Sequence, residues 1–364
     1  MPSHEGTEEV DVVLRARRQG RAVATVGRGL SVEIAAAAEL SAMHLLLIPS
    51  TVHPDDVGEL VRARVPGSDL GRNGWATLGR YSRLSGPYEL SMEEAVDAAV
   101  PMPWTVVYAL GAPIEREDPP LPGLDDRDGF ARAFPYGLPW REEGRALHLL
   151  VAMARRVHGA VRVSGGDGSL IQPDPDRAVD VIVHSPYWLD PGVLLGIVQR
   201  ALPTAQLQIE GADWSGPSDA AYSGAAVAGH LGRNPLSAQQ LADVHHIADL
   251  RDMDVLASED VIDGFAIAGE LGRDGAIEVL VHVGREREPA VAGQEWAEAP
   301  FVTYEIRWSS TAWEEREQRH PSPAYLTSRR RVQPLIRAVA RVIVEATGGV
   351  VTDEDGFWVD RYLL

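Results

Sequence analysis

The residues best suited to chemistry sit in one short run, His184-Ser185-Pro186-Tyr187-Trp188-Leu189-Asp190, which places a base, a hydroxyl and an acid between an apolar stretch and a helical pattern. The exit of a strand into a helix is where open α/β sheets bind ligands. His184, Ser185 and Asp190 are therefore the candidate catalytic group, of a kind suited to hydrolysis. Two features favour a structural role instead. Asp190 directly precedes Pro191, the pattern of an N-cap followed by proline at the first helical position. His184 and Ser185, as strand neighbours, point to opposite faces, and no Gly-x-Ser-x-Gly elbow occurs in the chain.

A second group, His245, His246 and Asp249, falls on a predicted helix over residues 237–249. His245 and Asp249 share a face at this spacing and are the candidate metal ligands, with zinc or manganese the ions that suit imidazole and carboxylate. No second histidine pair completes such a site, so a solvated helix face is the preferred reading. Asp353-Glu354-Asp355-Gly356 opens like a calcium loop, but Leu364 stands where the twelfth-position glutamate belongs, and a hairpin turn fits better. Gly27-Arg28-Gly29 after the apolar run 22–26 outlines a dinucleotide turn, yet Val32 replaces its third glycine, and a β-hairpin serves equally. No cofactor is predicted; a divalent metal is the one candidate. Tyr136, Trp140, Tyr187, Trp188 and Trp214 would form an apolar ligand pocket if their loops converge. The cluster Arg329-Arg330-Arg331, at the predicted start of a helix over 332–346, is expected to pair with acids across an interface between halves.

The elements that must position these groups occur twice. An apolar strand, a loop ending in proline and an amphipathic helix closed by proline appear at Leu45-Leu46-Leu47-Ile48, Pro54 and Pro66, and again at Val181-Ile182-Val183, Pro191 and Pro203. Overlaid without a gap, the prolines coincide and apolar falls on apolar. Each copy also closes on a helix stopped by glycine and a hairpin: the helix 146–157 with Gly159 and Gly166-Asp167-Gly168, and the helix 332–346 with Gly348 and Asp355-Gly356. Strands are expected at 104–110, 264–270, 277–283 and 302–308, and a helix capped by Ser91. The expected fold is α+β: two similar α/β-sandwich halves from internal duplication, ferredoxin-like in outline, with mixed or antiparallel sheets. The expected divisions are an N-terminal extension over 1–40, a first repeat over 41–173 and a second over 177–364, the last with an insertion at about 211–260.

Composition bounds the function by exclusion. At 364 residues, with 45% hydrophobic and 24% charged residues, the chain can bury two ordinary cores. A net charge of −19 disfavours nucleic acid and anionic membranes as partners. There is no cysteine, and all 34 basic side chains are arginine, so thiolate, Schiff-base and P-loop chemistry are absent from the repertoire. Arginine-only, alanine-rich usage resembles that of a protein from a high-GC bacterium. Without a secretory signal or an apolar span, the expected location is cytoplasmic. The expected function is a non-catalytic binding or interaction module built from two repeats, holding a protein partner or small ligand. A metal-dependent or His/Asp-based hydrolase and a structural homo-oligomer subunit, such as a homodimer, are the alternatives.

Overall fold

The computed structural model describes residues 23–26, 30–33, 37–101, 103–121, 123, 126–164, 169–208, 264–284, 289–360 and 364. In chain order its elements are β1 (Val23–Val26), β2 (Leu30–Glu33), α1 (Ala37–Ser41), β3 (His44–Ile48), α2 (Pro54–Arg64), α3 (Leu70–Asn73), β4 (Trp75–Thr77), β5 (Arg83–Glu89), α4 (Met92–Asp97), β6 (Val106–Gly111), α5 (Phe130–Ala133), α6 (Arg141–Arg156), β7 (Ala160–Arg162) and β8 (Leu170–Ile171). They continue with β9 (Val181–Ser185), α7 (Pro191–Val198), β10 (Ala205–Gln208), β11 (Gly264–Glu270), β12 (Ala276–Val283), β13 (Val302–Ser309), α8 (Pro323–Thr347) and β14 (Val350–Asp353). The fold is α+β. Two six-stranded sheets run β4-β5-β6-β3-β7-β8 and β10-β11-β12-β13-β9-β14, and β1 and β2 form a separate hairpin. Among the described strands every neighbouring pair is antiparallel, so the two sheets are antiparallel and not mixed there. Among the described residues, no helix is long and apolar enough to cross a membrane.

The central strands explain the apolar runs. In β3, Leu46 and Ile48 face a core built with α2 and α6, while Leu45 and Leu47 face a second layer with Leu40 of α1 and Ala95 of α4. A strand covered on both faces is apolar along its length, here from Leu45 to Ile48 after the buried His44, which is why alternation is missing there. In β9, Val181 and Val183 pack under α7 and α8, and His184 lies on the opposite face against Phe301. The two sheets share their pairing. Leu46 sits between Tyr108 and Val161, and Val183, to which the overlay of Pro54 on Pro191 carries it, sits between Tyr304 and Val351.

Several boundaries differ from expectation for local reasons. α8 begins at Pro323, not near Val332, because Ser322 caps it through the Tyr325 N–H, and Pro334 is carried inside the helix. Arg329, Arg330 and Arg331 are thus interior helical residues instead of opening it. α6 begins at Arg141, ahead of the expected Ala146; Glu115, from a distant loop, accepts the Glu142 N–H at 2.8 Å in place of a local cap. Val26 pairs with Leu30 in an antiparallel hairpin, and Gly27-Arg28-Gly29 between them lies outside the described residues. Ser91 caps α4 in a capping box with Glu94, as its sequence anticipates. The Asp353-Gly356 turn is held by Asp353 Oδ1, which accepts the Asp355 and Phe357 N–H groups, and Gly356 takes φ +75°.

The two sheet units are locked together by that turn. Phe357 enters the core of the first unit, 1% exposed, with the Arg64 and Arg156 guanidinium groups 5.8 and 5.5 Å from its ring centre. Around it, Arg155 pairs with Asp128 at 2.7 Å and with Asp355, Arg156 with Asp353 at 3.1 Å, and Arg127 with Glu354 at 3.0 Å. Arg316 bridges Asp180 at 2.6 Å and Glu354 at 2.9 Å. Arg329 reaches Asp174 at 2.7 Å, while Arg331 pairs with Asp274.

Candidate functional site

The first candidate group does not assemble. His184 is buried, its Nε2 lies 3.2 Å from Thr352 Oγ1, and burial lowers its pKa to about 4. Ser185 faces the other way, where its Oγ donates to Thr347 O at 3.3 Å and accepts the Tyr187 N–H at 3.1 Å. Asp190 occupies the N-cap position of α7, but its carboxylate makes no capping bond. The strand pleat separates His184 from Ser185, as β geometry requires, and Asp190 lies beyond the strand at the start of the next helix. His245, His246, Asp249 and Trp214 lie outside the described residues. Among the described residues, no three His, Asp or Glu side chains are grouped to hold a metal ion.

The aromatic candidates stand apart. Tyr136 and Trp140 are exposed on the loop before α6; Tyr187 is exposed on the loop before α7, and Trp188 packs on Phe265 at 5.5 Å. Among the described residues no ring contact joins the two pairs. The Tyr187-Trp188 loop is instead fastened by Tyr304, whose hydroxyl donates to Tyr187 O at 2.7 Å and accepts the Leu189 N–H at 3.1 Å.

A polar cluster that the sequence does not reveal is buried in the first unit. His44 Nδ1 accepts the Ser164 N–H at 3.0 Å, so the proton is on Nε2, which donates to Glu143 Oε1 at 2.9 Å. The other Glu143 oxygen takes the Glu115 N–H at 2.8 Å and pairs with Arg116. With Ser164 Oγ 3.4 Å from Nδ1, the order Ser–His–Glu has the outline of a catalytic triad. Yet the nitrogen that would act as base already holds a backbone N–H, and burial, aided by Arg116 and Arg162, lowers the imidazole pKa to about 3. This cluster ties β3 to α6. Its members are 99 residues apart, and a polar residue heading an apolar strand is the only trace of it in the sequence.

A cleft of about 1020 Å³ lies between the two units. Its first wall is α2. The helix is fixed at its start by His53, whose Nδ1 accepts the Asp55 N–H while Asp56 takes the His53 N–H, and it buries Val57 and Val61. That packing turns Asp56, Glu59 and Arg62 outward and leaves Leu60 and Ala63 at the cleft's apolar base. The end of α6 supplies Arg156, Val157 and His158, the last at φ +53°. From the second unit come Pro289, Gly293, Phe357 and Trp358. Trp358 is fixed yet half exposed: its Nε1 donates to Ala290 O at 2.8 Å, and its carbonyl accepts from Arg156 at 2.5 Å. The lining thus combines an apolar base, one rigid indole and both signs of charge. Among the described lining residues none carries a hydroxyl side chain; His158, Asp56 and Glu59 are its titratable groups besides the arginines. The sequence marks Trp358 only as part of a hairpin. Its meeting with α2 depends on how the units dock.

Comparison with protein-family models, curated proteins and solved structures finds no match to this chain.

Proposed function

We propose that this chain is a non-catalytic binding module built from two duplicated, ferredoxin-like units, which holds a protein partner or small ligand in the cleft between them. The duplication is supported by shared pairing and connections. In each sheet the four strands β7-β3-β6-β5 and β14-β9-β13-β12 follow one order, and the same strand-helix unit opens each half and the same long helix precedes its last central strand. A Cβ on Gly159 would lie 2.3 Å from Leu47 O, and one on Gly349 2.2 Å from His184 O; these carbonyls occupy matching strand positions. A cytoplasmic location belongs to the same proposal.

The observation that carries the binding role is the cleft's lining: a half-exposed tryptophan held by one hydrogen bond from its indole N–H and one to its backbone carbonyl, over an apolar base, between two units joined by ion pairs. A rigid aromatic anchor in a preformed cleft lowers the ordering cost of binding. The test is the indole N–H spectrum of the protein, with the Trp358 signal assigned by Trp358→Phe, recorded against mixtures of metabolites and short peptides. A ligand that moves the Trp358 signal first among the tryptophans is expected. Ligands that shift other indoles and leave Trp358 unmoved would place binding elsewhere.

A further inference from the structure

A second surface, away from the cleft, has a more specific chemistry. The Glu142 carboxylate at the start of α6 accepts the Tyr81 N–H at 3.0 Å and the Ser82 hydroxyl at 2.8 Å, drawing the 80–82 turn against the helix. The fit is close: a Cβ on Gly79 would come within 2.2 Å of Glu142 Oε1. On the other side the Trp140 N–H donates to Glu115 O at 2.9 Å, and Arg116 bridges to Pro139, so residue 114 runs beside Trp140 and Arg141. These contacts gather three large exposed side chains, Tyr81 at 56%, Ile114 at 77% and Trp140 at 50% exposure. Three arginines lie on the same segments, and the exposed Glu117 and Asp118 lie past Arg116, beside Leu138. Arg80 lies 5.0 Å from the Tyr81 ring centre, Arg141 is exposed with φ +43°, and Arg145 reaches over the surface to Glu142 at 2.9 Å. Among the described residues, Arg80 and Arg141 have no ion-pair partner. Glu115, Glu142 and Glu143 are turned inward: the first onto the Glu142 N–H, the second onto Tyr81, Ser82 and Arg145, and the third onto His44 and Arg116.

We infer that this patch is a docking surface for an acidic segment of a partner protein that carries an aromatic or aliphatic anchor. Tyrosine, tryptophan and arginine are the side chains that dominate binding at protein interfaces. A cationic rim on a chain of net charge −19 selects for a carboxylate-rich partner. A peptide engages only the local field, within about a Debye length, whereas a phosphate backbone tracking across the surface meets the acidic remainder of the protein.

The test is fluorescence anisotropy of the full chain with a labelled acidic peptide in which one tryptophan and one leucine are set among aspartates and glutamates. The controls are the same peptide with lysine at the acidic positions and a labelled oligothymidylate. The acidic peptide should bind, and raising salt should weaken it. Arg80→Glu with Arg141→Glu should reduce the affinity at least about tenfold, while Arg200→Glu, an exposed charge reversal on the second unit, should leave it unchanged. Both arginines are exposed, so folding should survive their replacement, and circular dichroism checks this. No preference for the acidic over the lysine peptide, or equal binding by the doubly substituted protein, would overturn the assignment. So would tighter binding of the oligothymidylate, which would make the patch a nucleic-acid surface.

Discussion

Replacing Arg155 with methionine tests how the two units are held together. The Arg155 side chain is 3% exposed and lies between Asp128 and Asp355, themselves 16% and 14% exposed. Burial opposes its charge, yet the two carboxylates prevail and raise its pKa above the ordinary arginine value. An exposed ion pair would contribute at most about 1 kcal/mol. Here methionine fills much of the arginine's volume but leaves two carboxylates in a poorly hydrated seam, a change that costs about 3–5 kcal/mol. For cooperative units of this size that corresponds to a fall in Tm of roughly 6–20 °C. Asp128→Asn and Asp355→Asn introduced together with Arg155→Met should restore a large part of the loss, because the destabilisation comes from uncompensated charge more than from lost packing. Calorimetry and urea unfolding of the wild type, the single and the triple variants measure both quantities. A single variant within 1 kcal/mol of the wild type, or a triple variant no more stable than the single, would refute the reasoning.

Other outcomes follow from individual contacts. Tyr304→Phe removes a hydroxyl with two partners and should cost about 1–2 kcal/mol, whereas Tyr108→Phe, at the matching position but with its hydroxyl buried and unbonded, should be neutral or stabilising; urea unfolding separates them. Gly159→Ala and Gly349→Ala should each destabilise by about 1–3 kcal/mol, since each new Cβ meets a strand carbonyl; thermal unfolding should rank them alike. His44 and His184 are held neutral, with pKa values lowered to about 3 and about 4. The unfolded chain therefore binds protons more tightly, and stability should be full above about pH 6.5 and decline as pH falls towards 4 and then 3. Unfolding free energies of the wild type and a His44→Gln variant across pH 4–8 check this, the variant showing the shallower decline.

What the sequence discloses about this protein is what neighbouring residues determine. The prolines that bound α2 and α7, the Ser91 cap and the Asp355-Gly356 turn act within a few residues, and each appears where its chemistry places it. Even local signals fail where a distant partner replaces them: α6 starts early because Glu115 supplies its cap, and Asp190 has the sequence of a cap without the hydrogen bond. β4 and β5 carry no apolar run, since only Ala76, Leu84 and Tyr88 among their side chains turn inward to any depth, and Gly86, which has no side chain, takes the buried place between Leu84 and Tyr88. The cleft is the least legible feature. It depends on Phe357 entering the other unit's core beneath Arg64 and Arg156, a contact that no spacing in the chain announces.

The most direct test of the cleft is a thermal-shift panel of metabolites, nucleotides and peptides, run on the wild type, Trp358→Ala and Ala63→Glu. A ligand present at about a hundred times its Kd should stabilise the wild type by about 2.7 kcal/mol, a shift of several degrees. The predicted result is a ligand whose stabilisation is lost in both variants and which is recovered chemically unchanged after incubation. A stabilising ligand whose shift persists in both variants, or one that the protein converts to product, would contradict a binding cleft without chemistry.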